Sequence, residues 1–593
     1  MTQSFSQTNG TLSTSGDASS IAITQASGAL AWKHITTGGN LTVSSAQGIT
    51  FGDTTVAGDL SSTSGTGGVS GGIGQASGTR LDVTGTSSFI ARTRTLQVAA
   101  LGGNNLLGGM VSFTDANGGS WGDITVKETS TNGLVLGEVR SSGKLDATAS
   151  GDLTLDGVVN VDRLALESTG GKVGQGSGST LDVATGPTTL KAHGSITLDR
   201  ANDFNGAVTV LGGTDVTLRD TDDLTLGAVT ATGKLDAKAG GNLALDGVTT
   251  VGSLALESTA GAISQGASGT LDVTAGPSSL KAGGAITLAR SNDFNGTVHV
   301  LGGTDVTLRD TDDLTLGTVT ASGKLDAKSA GDLALDGAAT VGSLALESTG
   351  GRLRQGTDGS LAVTAGPTDL RAHGSITLDR SNDFNGTVTV RGGTDVTLKD
   401  TDDLTLGAVT ASGKLDARSA GDLALDGAAT VASLALESSG GEILQGASGT
   451  LDVSAGPTSL KAQGRITLDR SNDFNGTVHV LGGTDVTLKD TDDLTLGTVT
   501  ASGKLEATAA GHLVLDRTVS VARLDLESTG GTITQGADGL LNVSAGPSDL
   551  KAGGAITLDK ANDFNGTVNV LGGTDVTLRD TDDLTLGTVT ASG

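Results

Sequence analysis

D-L-T-L-G-A-V-T at residues 223–230 is answered nineteen residues later by N-L-A-L-D-G-V-T at 242–249. Leu224 to Leu243 spans nineteen residues, and so does Leu235 to Leu254. Within these segments a large apolar residue alternates with a small or polar one, the pattern of a strand with one buried face. Gly, Asp, Asn and Ser gather between them, which is turn chemistry. A unit of this length holding two or three short strands is one coil of a parallel β-helix. A chain of sandwich domains has no reason to contain it.

Outward from this stretch a longer period governs. Asn202-Asp203-Phe204-Asn205-Gly206 returns from Asn292, Asn382, Asn472 and Asn562, ninety residues apart each time. Each copy is followed by G-G-T-D-V-T-L and then by R-D-T-D-D-L-T-L-G or K-D-T-D-D-L-T-L-G. Periodicity this strict marks a repeat array, so any function must be compatible with being written five times. The expected fold is all-β: a β-helical solenoid with about four coils per 90-residue repeat, of roughly 19, 19, 23 and 29 residues. The longest coil would carry N-D-F-N-G as an outward loop or widened corner. Three segments are expected: 1–103 as divergent coils, 104–143 as irregular transition coils with a register slip around Trp121, and 144–593 as the five-fold array, stopping mid-repeat.

Composition narrows the class. Of 593 residues 95 are Gly and only 2% aromatic, with no Cys and no Tyr, so the core must be aliphatic and no disulfide framework exists. The net charge of -28 is spread through the repeats: Gly194 to Gly283 carries ten acidic and five basic residues. An evenly acidic surface disfavours nucleic acid and anionic lipid as partners. No apolar run approaches the roughly 20 residues of a membrane helix. The start, M-T-Q-S-F-S-Q-T-N-G, has neither a basic nor an apolar signal-peptide region.

Two features could carry chemistry. Asp220, Asp222 and Asp223, repeated as Asp310, Asp312 and Asp313 and onward, place three carboxylates within four residues, a pattern that can bind Ca²⁺. Neither G-G-x-G-x-D nor the closing Glu of an EF-hand accompanies them, so a solvated turn is the better reading and no metal or cofactor is expected. N-D-F-N-G is read the same way, as a turn with its Phe tucked against the coil. Asn295, Asn385, Asn475 and Asn565 head glycosylation-type tripeptides, while the first copy, Asn205-Gly206-Ala207, does not. The six His, at 34, 193, 299, 373, 479 and 512, keep no register, which argues against a general base or metal ligand. All five Pro sit in G-P turns. No catalytic residue is expected: carboxylates repeat instead of meeting in one cleft, and sugar-stacking aromatics are nearly absent.

The run G-S-I-T-L-D-R-A-N-D-F-N-G-A-V-T-V, with D-V-T-L-R-D-T-D-D-L-T-L-G-A-V-T-A-T-G-K-L-D-A after it, resembles the repeat regions of filamentous haemagglutinin-like exoproteins of Gram-negative bacteria. It is also similar to passenger regions of large autotransporter adhesins. The resemblance covers essentially the whole chain. It implies a right-handed parallel β-helix shaft, exported across the outer membrane and displayed at the cell surface. Its partners would be an outer-membrane secretion transporter and an unidentified receptor or glycan on a host or neighbouring cell. The family's N-P-N secretion motif and R-G-D are missing from the sequence, so no family site maps to a residue. The stalk of a contact-dependent growth-inhibition toxin exoprotein and a β-helix carbohydrate-active enzyme are the alternatives.

Overall fold

The computed structural model describes residues 11–13 and 20–593, apart from 70, 94–95 and 117–119. Residues 1–10, where a signal peptide was sought, lie outside the described residues. Strands are short and, among the described residues, no helix is present. The chain forms two units, one ending at Gly296 and one starting at Thr297.

In the second unit the strands stack in parallel, coil on coil. From Leu325 one stack climbs through Leu344, Thr368, Val388 and Leu406. Leu404, on the same strand as Leu406, continues it through Leu423, Ile443, Ile466 and Val486 to Leu505. Leu325 and Leu505 are 180 residues apart, and nine steps separate them. Two repeats therefore make nine coils averaging twenty residues. The expected four coils per repeat sharpen to four and a half.

The half coil has a consequence for display. Leu415, midway between those two leucines, belongs to the other sheet, in the stack Val396, Leu415, Leu434, Thr458 and Val478. The first unit alternates in the same way. Leu145 stacks with Leu164, Thr188, Val208 and Leu226 in one sheet. Leu235, its equivalent ninety residues on, stacks in the other with Ile196, Val216 and Leu254. Successive copies of any outward element thus fall on alternate sheets. At about 4.8 Å per coil, the same sheet shows the same element again after roughly 43 Å.

Period-two alternation produces this packing directly. Leu235, Ala237 and Ala239 of Lys234–Ala239 point into the core, and Lys234, Asp236 and Lys238 point out. Inward residues stack on inward residues, most of them aliphatic, so a largely apolar stripe per strand closes a continuous core between the sheets. Each outward row carries ladders of opposite charge, such as Lys238–Glu257–Lys281 and Arg371–Glu347–Lys328.

The N-D-F-N-G element is not an outward loop. Asn202–Phe204 is a strand of the sheet wall, paired residue for residue with Leu181, Asp182 and Val183. Phe204 is 1% exposed and Asn202 is 0% exposed. The apparent 29-residue coil is therefore about one and a half ordinary ones. The expected burial of the Phe is borne out.

Candidate functional site: a carboxylate turn above a buried Gln–Asn pair

Asn202 is a polar residue with no solvent contact, and three coils converge on it. Its amide nitrogen donates to Leu198 O at 3.1 Å, to Arg219 O at 3.2 Å and to Gln175 Oε1 at 3.2 Å. Gln175 Nε2 donates back to Asn202 Oδ1 at 2.7 Å. The second unit repeats the arrangement with Gln355 and Asn382, Gln445 and Asn472, and Gln535 and Asn562. A buried amide satisfied on both sides is tolerated, and it pins the register of the coils it joins.

The acidic turn lies directly above, and its three carboxylates point three ways. Asp220 turns inward and is 6% exposed, and Asp310 is equally buried. Asp220 Oδ2 accepts from Phe204 N at 3.2 Å and Oδ1 accepts from Asp222 N at 3.0 Å. Asp490 accepts from Phe474 N at 3.3 Å and Asp492 N at 3.1 Å in the same way. Asp223 is exposed but reaches the next coil, accepting from Asn242 N at 2.6 Å. Asp313, Asp403 and Asp493 accept likewise from Asp332, Asp422 and His512 N. Asp222 and Asp312 remain free to face solvent.

The candidates Asp220, Asp222 and Asp223, and likewise Asp310, Asp312 and Asp313, are therefore not one ligand set. The turn between the strands Val216–Arg219 and Leu224–Thr230 sends the first carboxylate inward and the last toward the next coil. The carboxylates that do approach are those of the N-D-F-N-G Asp and the first and third residues of the turn. In the fifth copy, oxygens of Asp563, Asp580 and Asp582 all lie within 4.8 Å of one another. Around the fourth, Asp473, Asn475, Thr477, Asp492, Asp493 and Thr495 line an open pocket of about 340 Å³.

The electrostatics follow from burial. Burial pushes the Asp220 carboxyl up to about 6, against the pull of the Asp222 and Phe204 amides, with Asp203 and Asp222 adding repulsion. Asp490 is likewise pushed up to about 6, and Asp400 is raised. Asp203 is raised by its own partial burial and by Asp182 and Asp222.

The remaining candidates resolve into packing. Asn295, Asn385, Asn475 and Asn565 are exposed, and each donates its amide to the Asp two residues earlier, at 2.6–2.8 Å. The glycine after each is demanded by space: a Cβ on Gly386 would collide with Gly366 O beside the G-P turn. Asn-Gly thus has a structural reason in these copies. His299 and His479 serve as stitches: His479 Nδ1 accepts from Thr498 N at 3.1 Å, across a bulge where the strand partner has an extra residue. Asn569 does the same for Thr588 N at 3.0 Å, which explains why the histidine is interchangeable.

The Gln–Asn–carboxylate constellation was not singled out from sequence, and it reaches into the divergent coils. Gln75 donates to Asn105 Oδ1 at 2.8 Å, and Asn105 donates to Leu101 O and Lys127 O. Glu128, 0% exposed, takes the acidic place and accepts from Leu107 N and from Ser130 N. The only sequence signal was the 27-residue spacing from each array Gln to its Asn. In the divergent coils that spacing becomes 30 residues and hides the match.

Among the described residues no helix is long and apolar enough to cross a membrane. No curated protein and no solved structure matches the chain. One family does, in eleven stretches: 38–114, 122–168, 157–211, 213–252, 239–301, 303–343, 329–391, 393–436, 419–481, 483–522 and 511–571. With coils of this kind repeating along nearly all of it, the chain belongs to the family described as repeats of unknown function, DUF5649.

Proposed function

We propose that this chain is a structural shaft segment of a secreted bacterial surface adhesin, haemagglutinin-like, that holds binding regions away from the cell. Its partners in that role are an outer-membrane secretion transporter and a receptor or glycan on another cell, and its place is the outer cell surface. The observation that carries this reading is the nine-coil, 180-residue recurrence. Within it the buried polar side chains, such as Gln445, Asn472 and Asp490, join one coil to another. The sequence resemblance to filamentous haemagglutinin-like exoproteins supports it further. A catalytic role has no support of this kind: the carboxylates recur instead of gathering in one cleft.

Length should then be the property that matters. Excision of residues 324–413, one whole repeat, should leave a folded chain whose maximum dimension in solution scattering falls by about 22 Å. In the full-length parent protein, cell attachment should decline gradually as repeats are removed. Loss of folding on excision, or attachment indifferent to repeat number, would sink the proposal.

A further inference from the structure

Beneath the outward carboxylates of the first four copies lies one that solvent barely reaches. Asp400 and Asp490 are 1% exposed, and Asp220 and Asp310 6%. The donors to Asp220, Asp400 and Asp490 are neutral backbone amides from two directions, the Phe of N-D-F-N-G and the third residue of the turn. The charged groups that act on Asp220 are themselves carboxylates: Asp203 from the coil below and Asp222 from its own turn. Asp473 and Asp492 stand in the same relation to Asp490, and Asp383 acts on Asp400. Bases on the strands packed alongside are engaged elsewhere. Arg219 meets Asp236 at 2.7 Å, Lys238 meets Glu257 at 3.4 Å and Arg418 meets Asp416 at 2.9 Å. An anion is thus confined among anions, with its cations turned away.

We propose that this buried carboxyl is a proton-binding site, one in each of the first four copies, which takes a proton from mildly acidic solvent and shares it with the outward carboxylate beside it. The carboxylate becomes a carboxylic acid, and its new O–H donates to the neighbouring Asp. One buried charge disappears and one hydrogen bond is gained, while the two amide donors keep their acceptor. The contribution of this carboxyl is greatest in acid and fades toward neutral pH. The direction follows from the values. Burial holds Asp220 and Asp490 at about 6 in the folded chain, against 3.8 for the ordinary group. The folded state therefore binds the proton more tightly than the unfolded one. The stabilisation is complete below 3.8 and is lost as pH rises through about 6. This inference concerns the coils themselves and stands apart from the adhesin reading.

The test compares unfolding of the full chain at pH 5 and pH 7.5 with that of a variant carrying Asp220→Asn, Asp310→Asn, Asp400→Asn and Asp490→Asn. Asparagine cannot titrate; it keeps one acceptor oxygen for the two amides and supplies an N–H donor in place of the other oxygen. The wild-type denaturation midpoint should be higher at pH 5, and the variant should lose that difference. Infrared difference spectra of the wild type should show a protonated-carboxyl band at pH 5 that the variant lacks. Equal pH dependence in both proteins would overturn the proposal. A midpoint raised at pH 7.5 by added Ca²⁺ in the wild type alone would also overturn it, by making the pocket a cation site. Should the fourfold variant not accumulate, Asp490→Asn alone should remove about one quarter of the infrared band, and an undiminished band would count against the proposal.

Discussion

The divergent coils before residue 143 and the strict repeats after it fill the same kind of interior by different means. In the divergent coils a file of rings runs from coil to coil. Trp32 lies 4.8 Å from Phe51, Phe51 6.3 Å from Phe89, Phe89 5.0 Å from Phe113 and Phe113 6.1 Å from Trp121, centroid to centroid. Trp32 and Trp121 find partners for their indole N–H at Thr54 Oγ1 and Thr114 O. The strict repeats use Leu, Val and Ile, with a single Phe each. What both regions keep is the polar constellation: Gln75, Asn105 and Glu128 in one, Gln445, Asn472 and Asp490 in the other. Apolar filling is exchangeable so long as volume is conserved, whereas a buried amide that satisfies three coils has few substitutes. The array has traded ring stacking for repetition, and its coils should depend more heavily on the polar pin.

That contrast can be broken at several points. Phe113→Ala should have the largest effect, about 4 kcal/mol from the cavity plus about 1 kcal/mol from lost ring contacts on two sides. Phe474→Ala, with no ring neighbour in the fourth copy, should cost about 1 kcal/mol less. Equal losses would show that the aromatic file adds nothing beyond burial. Because each coil contacts only its neighbours, these losses are best read as local amide exchange, coil by coil.

Next, Asn472→Leu removes the acceptor for Gln445 Nε2 and Leu451 N and the donor to the carbonyls of Leu468 and Lys489. It should cost about 3 kcal/mol, with protection lost across three consecutive coils. A defect confined to one coil would deny the residue its pinning role. Asn105→Leu should be milder, because the neighbouring rings hold the register.

Smaller effects test the outer face. Asp493→Ala removes the acceptor for His512 N and should cost about 1 kcal/mol. Lys461→Ala, breaking an exposed 2.8 Å pair with Glu437, should cost less than about 1 kcal/mol and vanish in high salt. One change should stabilise. The Thr458 hydroxyl is buried without a hydrogen-bond partner in a stack between Leu434 and Val478. Thr458→Val should gain up to about 1 kcal/mol, seen as slower exchange in the coils around it.

Much of this molecule is legible in its residues. The nineteen-residue echo of Leu224 in Leu243 and of Leu235 in Leu254 identifies the coil, and both pairs are stacked partners in the structure. The alternation of L-T-L and L-A-L predicts which side chains enter the core, because a strand sends neighbours to opposite faces. The chemistry of the polar turns was less legible. Asp220-Thr221-Asp222-Asp223 reads as a wet loop because local pattern cannot show that Asp220 is roofed by the next coil or that Asp223 bonds nineteen residues onward.

The sequence by itself determined the parallel stacking of short strands, the aliphatic interior and the 90-residue recurrence, because these follow from periodicity and from which side chains water rejects. Only the tertiary structure decided that a repeat holds four and a half coils. Leu145 and Leu235 are equivalent in sequence yet lie in different sheets, since strand pairing is set by which backbone edges meet in space. It also decided that Asn202 and Asp220 are interior residues. Their hydrogen-bond partners come from coils above and below, and the cost of burying them is met only when those coils are in place.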